Sequence, residues 1–539
     1  MEKNVVIAIV LSVLVLLGFQ FLNMKLLPPP PEMTAPVATE SAPTTGPATS
    51  AEVAQALAQA PVQATTPAAT PTVAVPEKEV TVETDLYRAV FSTTGATLKS
   101  FEIKRHVDEA GKPVNAAALV SAEGNRPLVV LSGGKPVVAA FQPDTQKLVL
   151  STANPSASLS FSYVGPDGLA VTKKLTFYND DYKIDLDLNL QGGSDYRLAL
   201  GTGMGLTSRS PGGMMGVHEG PVTMVQGKRE ADETSKLLEA RKSYTGGVAW
   251  TAIEDKYFMA ALVPQSQISL LDVSAVGTGD AALPDLTVAL TGSGAVTAKF
   301  LLYVGPKQYD RLAALKVGLE DIIDYGWFKL FAKPMFHFMQ FLYGIFGNYG
   351  IAIIIMTIII KVAFIPLTHK STKSMKEMQR IQPELTKLKE KYKNDPTSMN
   401  REMMDLYKKH KVNPLGGCLP MVIQIPVFIA LYNVLLVSIE LRHAPFFWWI
   451  HDLSAPDALI HVMGFPVGPL PVLMGISMFV MQKMTPTTIT DPMQQKIMLW
   501  MPVIFSVMFF TFPAGLVLYW LVNNSLQIVQ QYVTNKYIK

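Results

Sequence analysis

Cysteine is nearly missing: Cys418 is the only one in the chain. No intramolecular disulfide, CxxC redox pair or cysteine metal site can form. Net charge is small as well. Forty-six Lys and Arg against 43 Asp and Glu leave +3, too little to single out nucleic acid as a partner. The common catalytic signatures are absent. Gly-Lys occurs at Gly111-Lys112, Gly134-Lys135 and Gly227-Lys228, but never within GxxxxGK[ST]. There is no GxSxG, and His218-Glu219 lacks the second histidine of HExxH. Neither nucleotide hydrolysis nor metal or cofactor chemistry is expected. Charged residues are scarce at 17%, while 49% of the 539 residues are hydrophobic. That balance belongs to a polytopic membrane protein with more than one domain.

Read from the start, Val5–Leu22 is an apolar run behind Lys3. It ends without a small-x-small cleavage site, so residues 1–23 are expected to be an uncleaved signal anchor with a cytoplasmic N-terminus. Residues 24–78 are low-complexity Pro, Ala, Thr and Val, which cannot bury a core and predict a disordered linker. The pattern then changes. In Lys183–Leu190, Ile184, Leu186, Leu188 and Leu190 alternate with Asp185, Asp187 and Asn189, the period of a half-buried strand. Similar segments, separated by turns such as Gly165-Pro166-Asp167-Gly168, run to about Pro306. Residues 79–319 are therefore expected to form a large antiparallel β-sandwich outside the cytoplasm. Glu320–Phe338 mixes Trp327, Leu330 and Phe331 with Asp321, Asp324, Lys329 and Lys333. It predicts an amphipathic helix over 320–340 at the outer membrane boundary, or else a last helix packed on the sandwich.

Five further apolar segments follow: Tyr349–Leu367, Gly417–Ile439, Leu470–Lys483, Ile497–Phe512 and Ala514–Val533. With the anchor they give six spans, five of them forming a core over 341–539. The loop 368–415 carries twelve basic and six acidic residues, whereas Glu440–Pro466 has Arg442 as its only fixed cation. The positive-inside rule places the basic loop, and hence the C-terminus, in the cytoplasm. Within it, Ser371–Lys393 and Thr397–Lys411 flank the turn Asn394-Asp395-Pro396 and predict a helical hairpin. Such a hairpin fits anionic lipid, ribosomes or nascent chains.

Intramembrane polarity carries the functional signal. Lys361 stands alone as a fixed cation inside Gly350–Leu367, where a lysine costs roughly 2.5–3.5 kcal/mol even on the lenient insertion scale. Thr357 lies one helical turn earlier on the same face. Gln424, Ser506 and Thr511 occupy other spans, and Asn523, Asn524, Ser525 and Gln527 cluster on the last. Polar groups at such depth must face water or one another. One arrangement is a wet cleft open to the cytoplasm. The others are a snorkelling lysine and ordinary interhelical hydrogen bonds.

Four motifs point to a family: Asn413-Pro414-Leu415-Gly416-Gly417-Cys418-Leu419-Pro420, Gln482–Thr487, Asp491–Lys496 and Phe512–Trp520. With them the chain closely resembles the YidC membrane-protein insertases of Gram-negative bacteria, over essentially its full length. The resemblance implies an inner-membrane insertase with a periplasmic sandwich and a core groove open to cytoplasm and lipid. It also implies nascent membrane proteins, ribosome and Sec translocon as partners. Lys361 holds the place of the family's usual arginine, keeping the charge without the planar fork. Tyr519 and Trp520 replace a usual pair of tyrosines. The expected mechanism has the client's polar flank enter the cleft while its apolar segment slides along the second and last spans into lipid. The rivals are a solute transporter whose lysine binds an anion and a glycan-binding sandwich that uses the spans as an anchor.

Overall fold

The computed structural model describes residues 77–108, 110–121, 123–207, 217–292, 294–392, 395–410, 412, 419–462, 464–484 and 492–537. The anchor, nearly all of the linker, and Asn413–Cys418 of the first motif lie outside these residues.

From Glu79 to Pro306 the chain forms three β-sheets. The largest has nine strands, and its centre runs Phe258–Pro264, Gly294–Pro306, Lys183–Gly193, Ala170–Tyr178, all antiparallel. The alternation read in Lys183–Leu190 is present: Ile184, Leu186, Leu188 and Leu190 are buried, while Asp185, Asp187 and Asn189 face outward. Outward residues still find partners across strands, with Tyr178 donating to Asp185 (2.6 Å) and Thr297 to Asn189 (2.9 Å). A five-stranded sheet built on Tyr87–Ser92 and Thr97–Val107 faces the nine-stranded one. Phe91 meets Phe161 and Phe177 across the gap, each at 5.9 Å between ring centres. A buried cation fastens this core. The Lys173 ammonium donates to the carbonyls of Gly95 (2.7 Å), Ala96 (3.1 Å) and Leu128 (2.6 Å). All three acceptor residues have positive φ, a conformation that Ala and Leu adopt only when surroundings fix it.

The helical region begins later than the 320–340 helix expected from sequence. Leu319–Ile322 and Gly326–Phe328 are 3-10 turns, separated where Asp324 accepts from the Gly326 amide (2.8 Å) at φ +66°. Helix α1 then spans Lys329–Phe346. It buries Ala332, Phe336, Met339 and Leu342 on one face and exposes Leu330, Phe331, Phe341 and Ile345 on the other.

Helix α2, Tyr349–Arg380, is N-capped by Asn348, which accepts from the Ile351 amide (3.1 Å). It does not stop at Leu367. Nothing between Leu367 and Ser371 breaks it, and Thr368 and Thr372 satisfy their hydroxyls on carbonyls of the preceding turn. The break comes at Ile381, before Pro383, so span and basic arm are one continuous helix. Among the described residues it is the one helix long and apolar enough to cross a membrane by length and composition; Gln424–Val437 and Lys496–Phe509 are shorter apolar helices.

Helices α3 (Gln382–Lys391) and α4 (Pro396–His410) make the expected hairpin. They share a small core of Met378, Ile381, Leu385 and Val412, backed by Met403, Leu406 and Tyr407. Four more helices complete the chain: α5 (Leu419–Val437), α6 (Pro469–Met484), α7 (Pro492–Phe509) and α8 (Ala514–Tyr537). The first amides of α8 are capped by loop carbonyls, Ala514 by Ala455 (2.7 Å) and Gly515 by Leu453 (2.9 Å).

The sandwich docks on the ends of these helices. Trp250 donates to Gly318 O (3.1 Å), Asn433 of α5 to Tyr325 O (2.8 Å) and Arg442 to Val107 O (2.6 Å). The Arg442 guanidinium also lies over Tyr257 and Phe258, at 5.7 and 5.6 Å. His106 packs edge-on against Phe258 at 5.5 Å. Burial first, then the charges of Arg442, His443 and Arg105, push the His106 imidazole down to about 4. It is therefore neutral when folded, whereas the unfolded chain takes up a proton below about 6.5. The stability from this group is present above pH 6.5 and is lost as pH falls toward 4. Thermal melts of the full chain in detergent should show this loss, and His106→Gln should flatten the profile over that interval; an unchanged profile in the variant would remove the assignment.

Candidate functional site: the polar seam between helices

The site forms where α2 meets α8. Asn523 and Gln527 are one turn apart on α8 and so share a face. Both aim their carbonyl oxygens at α2. The Lys361 ammonium donates to Gln527 Oε1 (2.6 Å) and Asn523 Oδ1 (3.3 Å). The lysine is half-buried among neighbours such as Ile358, Ile359, Val362 and Ile365, all exposed on the outside of the helix. Both of its acceptors are neutral amides, so the pairing solvates the charge without cancelling it.

The seam continues along the two helices. Gln530 donates to the Thr368 hydroxyl (2.5 Å), and Lys376 donates to Thr534 O (3.4 Å). Sequence reading passed over Thr368, Gln530 and Lys376. The signal was available: Thr368 and Gln530 lie seven residues beyond Lys361 and Asn523, on the same faces. Lys376 falls in the loop when the span is ended at Leu367, whereas the continuous helix carries it alongside α8.

Other predicted polar residues are not part of the Lys361 cluster. Thr357 is buried, and its hydroxyl returns to Ile353 O (2.6 Å). Asn524 points to α6, donating to Ser477 Oγ (3.1 Å), which itself bonds Met474 O (2.6 Å). Ser506 ties α7 to α6 through Pro471 O (2.8 Å), beside a close helix approach where a Cβ on Gly475 would meet Ser506 at 2.9 Å. Thr511 is exposed and caps Met508 O (3.0 Å).

Gln424 on α5 donates to the buried Tyr519 hydroxyl of α8. Trp520 is half-buried, edge-on to Phe428 (4.9 Å) and tilted against Phe509 (5.5 Å). Tyr519 and Trp520 therefore do different work, the first bonding across helices and the second joining an aromatic cluster of α5, α7 and α8. At Lys361 the seam offers a positive charge held by amide oxygens, with exposed apolar side chains beside it. That arrangement can hold the polar or acidic part of a chain whose apolar part lies against the helices.

Comparisons with known proteins agree with this architecture. Residues 341–539 match the family described as 60Kd inner membrane protein, and residues 79–338 match the YidC periplasmic domain. The membrane protein insertase YidC of Citrifermentans bemidjiense is 44% identical over 550 aligned residues, covering 99% of each chain. The YidC of Geotalea daltonii is 41% identical over 555, again covering 99% of each. A crystal structure of an active YidC insertase with its first transmembrane domain resolved is 21% identical, covers 86% of this chain and 93% of that one, and superposes with a TM-score of 0.38. The β-rich part is a YidC periplasmic domain, the helical part is the inner-membrane part, and the chain belongs to the YidC family of membrane protein insertases.

Proposed function

We propose that this chain inserts nascent hydrophobic segments from the cytoplasm into the inner membrane, through a hydrated groove that carries the single charge of Lys361. The observation behind this reading is the solvation of that charge. An ammonium held, among the described residues, by the neutral amide oxygens of Asn523 and Gln527 keeps its positive field. In this reading the protein has six spans with both termini in the cytoplasm, the sandwich in the periplasm and α1 along the outer boundary. The basic excess of residues 368–415 supports that orientation.

A client meets the hairpin first, together with the ribosome or the Sec translocon, and anionic lipid headgroups flank its basic side chains. Its polar flank then enters the groove, where Lys361 attracts acidic side chains. At 4 Å and an effective dielectric of 20 that attraction is about 4 kcal/mol before desolvation. Gln424, Tyr519 and Trp520 line the approach, Ser506 and Asn524 hold α6 against α7 and α8, and Thr357 and Thr511 face the groove while bonding their own backbone. The apolar segment slides along the outer faces of α2 and α8, where Ile358, Ile359, Val362, Val529 and Val533 are exposed. Transfer of that segment into lipid supplies the driving force, and no nucleotide is consumed.

Lys361→Ala should impair insertion of short-tailed single-span clients in reconstituted vesicles; insertion at the parental rate would remove the role given to the charge. The amides can be tested separately. Asn523→Leu with Gln527→Leu leaves the ammonium unsolvated and should lower stability by about 3 kcal/mol, while adding Lys361→Met should restore most of it. Equal losses in the double and triple variants would mean that the amides do not serve the lysine. Deleting most of 79–306 should leave insertion largely intact. Loss of all activity would favour the glycan-binding reading, and solute uptake by vesicles bearing the parental protein would favour a transporter.

A further inference from the structure

A cavity of about 220 Å³, lined by both charged and aliphatic side chains, lies where the sandwich meets the end of α5. Its sandwich side presents His218, Arg229, Glu254 and Lys307, and its other walls include Asp324, Leu436 and Val437. We propose that this cavity is a binding site for the headgroup of a zwitterionic phospholipid with a primary amine, the phosphoethanolamine class. The proposal rests on the topology given above, which puts the end of α5 at the outer leaflet.

The charges select the ligand class. Arg229 and Lys307 are balanced by Glu254 and Asp324, so a ligand with net charge would unbalance the cavity, whereas one carrying both signs would not. Within this set the unused capacity is uneven. Glu254 is 1% exposed and has both oxygens engaged, one by Arg229 Nη2 (2.8 Å) and one by Lys307 (2.9 Å). Arg229 spends Nη1 on a long contact with Asp324 (3.3 Å), and its Nε is buried without a hydrogen-bond partner. A buried donor left so is unfavourable, and a phosphate oxygen would satisfy it with a charge-assisted bond. Asp324 is 56% exposed and holds the Arg229 contact only loosely. Its Oδ1 accepts the Gly326 amide (2.8 Å), and Oδ2, with only the long Arg229 contact, keeps a lone pair for an ammonium group.

The chain that follows the cavity wall exposes apolar side chains. Gly326 forms part of the wall, and Trp327 next to it is 99% exposed, with Leu330 at 78%. A large aromatic and a leucine standing clear of the protein give acyl chains a surface to follow from the headgroup into the leaflet. Phosphate at Arg229, ammonium at Asp324 and chains along Trp327 and Leu330 would thus satisfy the orphaned Arg229 Nε and cover the exposed apolar side chains.

The test is native mass spectrometry of the full chain in detergent, titrated with phosphatidylethanolamine, phosphatidylcholine or phosphatidylglycerol of the same chain length. Phosphatidylethanolamine should bind about tenfold more tightly than either of the others, the value of one charge-assisted hydrogen bond. Asp324→Asn should erase that preference, and Arg229→Gln should weaken all three lipids. If Arg229→Gln does not fold, the exposed Asp324 still carries the test. Equal binding of the three lipids by the parental protein, or a preference unchanged in Asp324→Asn, would overturn the proposal. Soluble phosphoethanolamine or inorganic phosphate competing as strongly as the lipid would replace it with a small-anion site. Client insertion is a separate readout, so this site can fail while the insertase reading stands.

Discussion

An ammonium group inside an apolar helix must be solvated, and the placement of helices around α2 follows from that requirement. Lys361 cannot be left in hydrocarbon without a cost of roughly 2.5–3.5 kcal/mol or more. Two amides on α8 take up the charge, and their one-turn spacing requires α8 to run alongside α2 at that level. The Thr368–Gln530 and Lys376–Thr534 contacts then hold the register farther along. Carboxylates would have quenched the charge, and apolar side chains would have expelled it. Amides keep it half-buried and positive, the property on which the proposed insertion of clients with acidic flanks relies.

The same economy of polar contacts governs the joint between sandwich and helices. A few side chains make it: Trp250, Asn433 and Arg442 each donate to a backbone carbonyl across the boundary. Arg442 was visible in the sequence as the lone fixed cation of an outer loop, and that scarcity reads as weak charge bias. Its structural role is different, because it spans the boundary and lies over two aromatic rings of the sandwich. These directional bonds add orientation to a joint whose buried apolar cluster runs from Val304 through Leu312, Leu319, Ile322 and Tyr325 to Phe336 and Val437.

The β-sandwich was legible because its strands alternate cleanly, as in Ile184 to Leu190 against Asp185, Asp187 and Asn189. Helix positions were legible from apolar runs: each expected core segment coincides with a helix, four of them to within a few residues at both ends. Helix ends were less so. Proline and glycine mark where a helix can stop, but Leu367 to Ser371 contains neither, and the helix runs on to Ile381. Pairing between helices was the least legible. Thr357 and Lys361 share a face by spacing, yet the threonine hydroxyl bonds its own backbone, since a short side chain on a helix reaches the preceding carbonyl before it reaches a neighbour. Asn523 and Asn524 are adjacent in sequence and point to different helices, a divergence fixed by the 100° step of the helix and visible only once α2 and α6 are in place.

The central claim is that water from the cytoplasm reaches the Lys361 charge. Because Cys418 is the only cysteine, a Cys418→Ser background allows a single Gln527→Cys probe beside the lysine. Reaction with a membrane-impermeant maleimide, added separately to inverted and right-side-out vesicles, reads access from each side. The account predicts rapid labelling from the cytoplasmic face and little from the other. No labelling from the cytoplasmic face, with the protein folded, would contradict it.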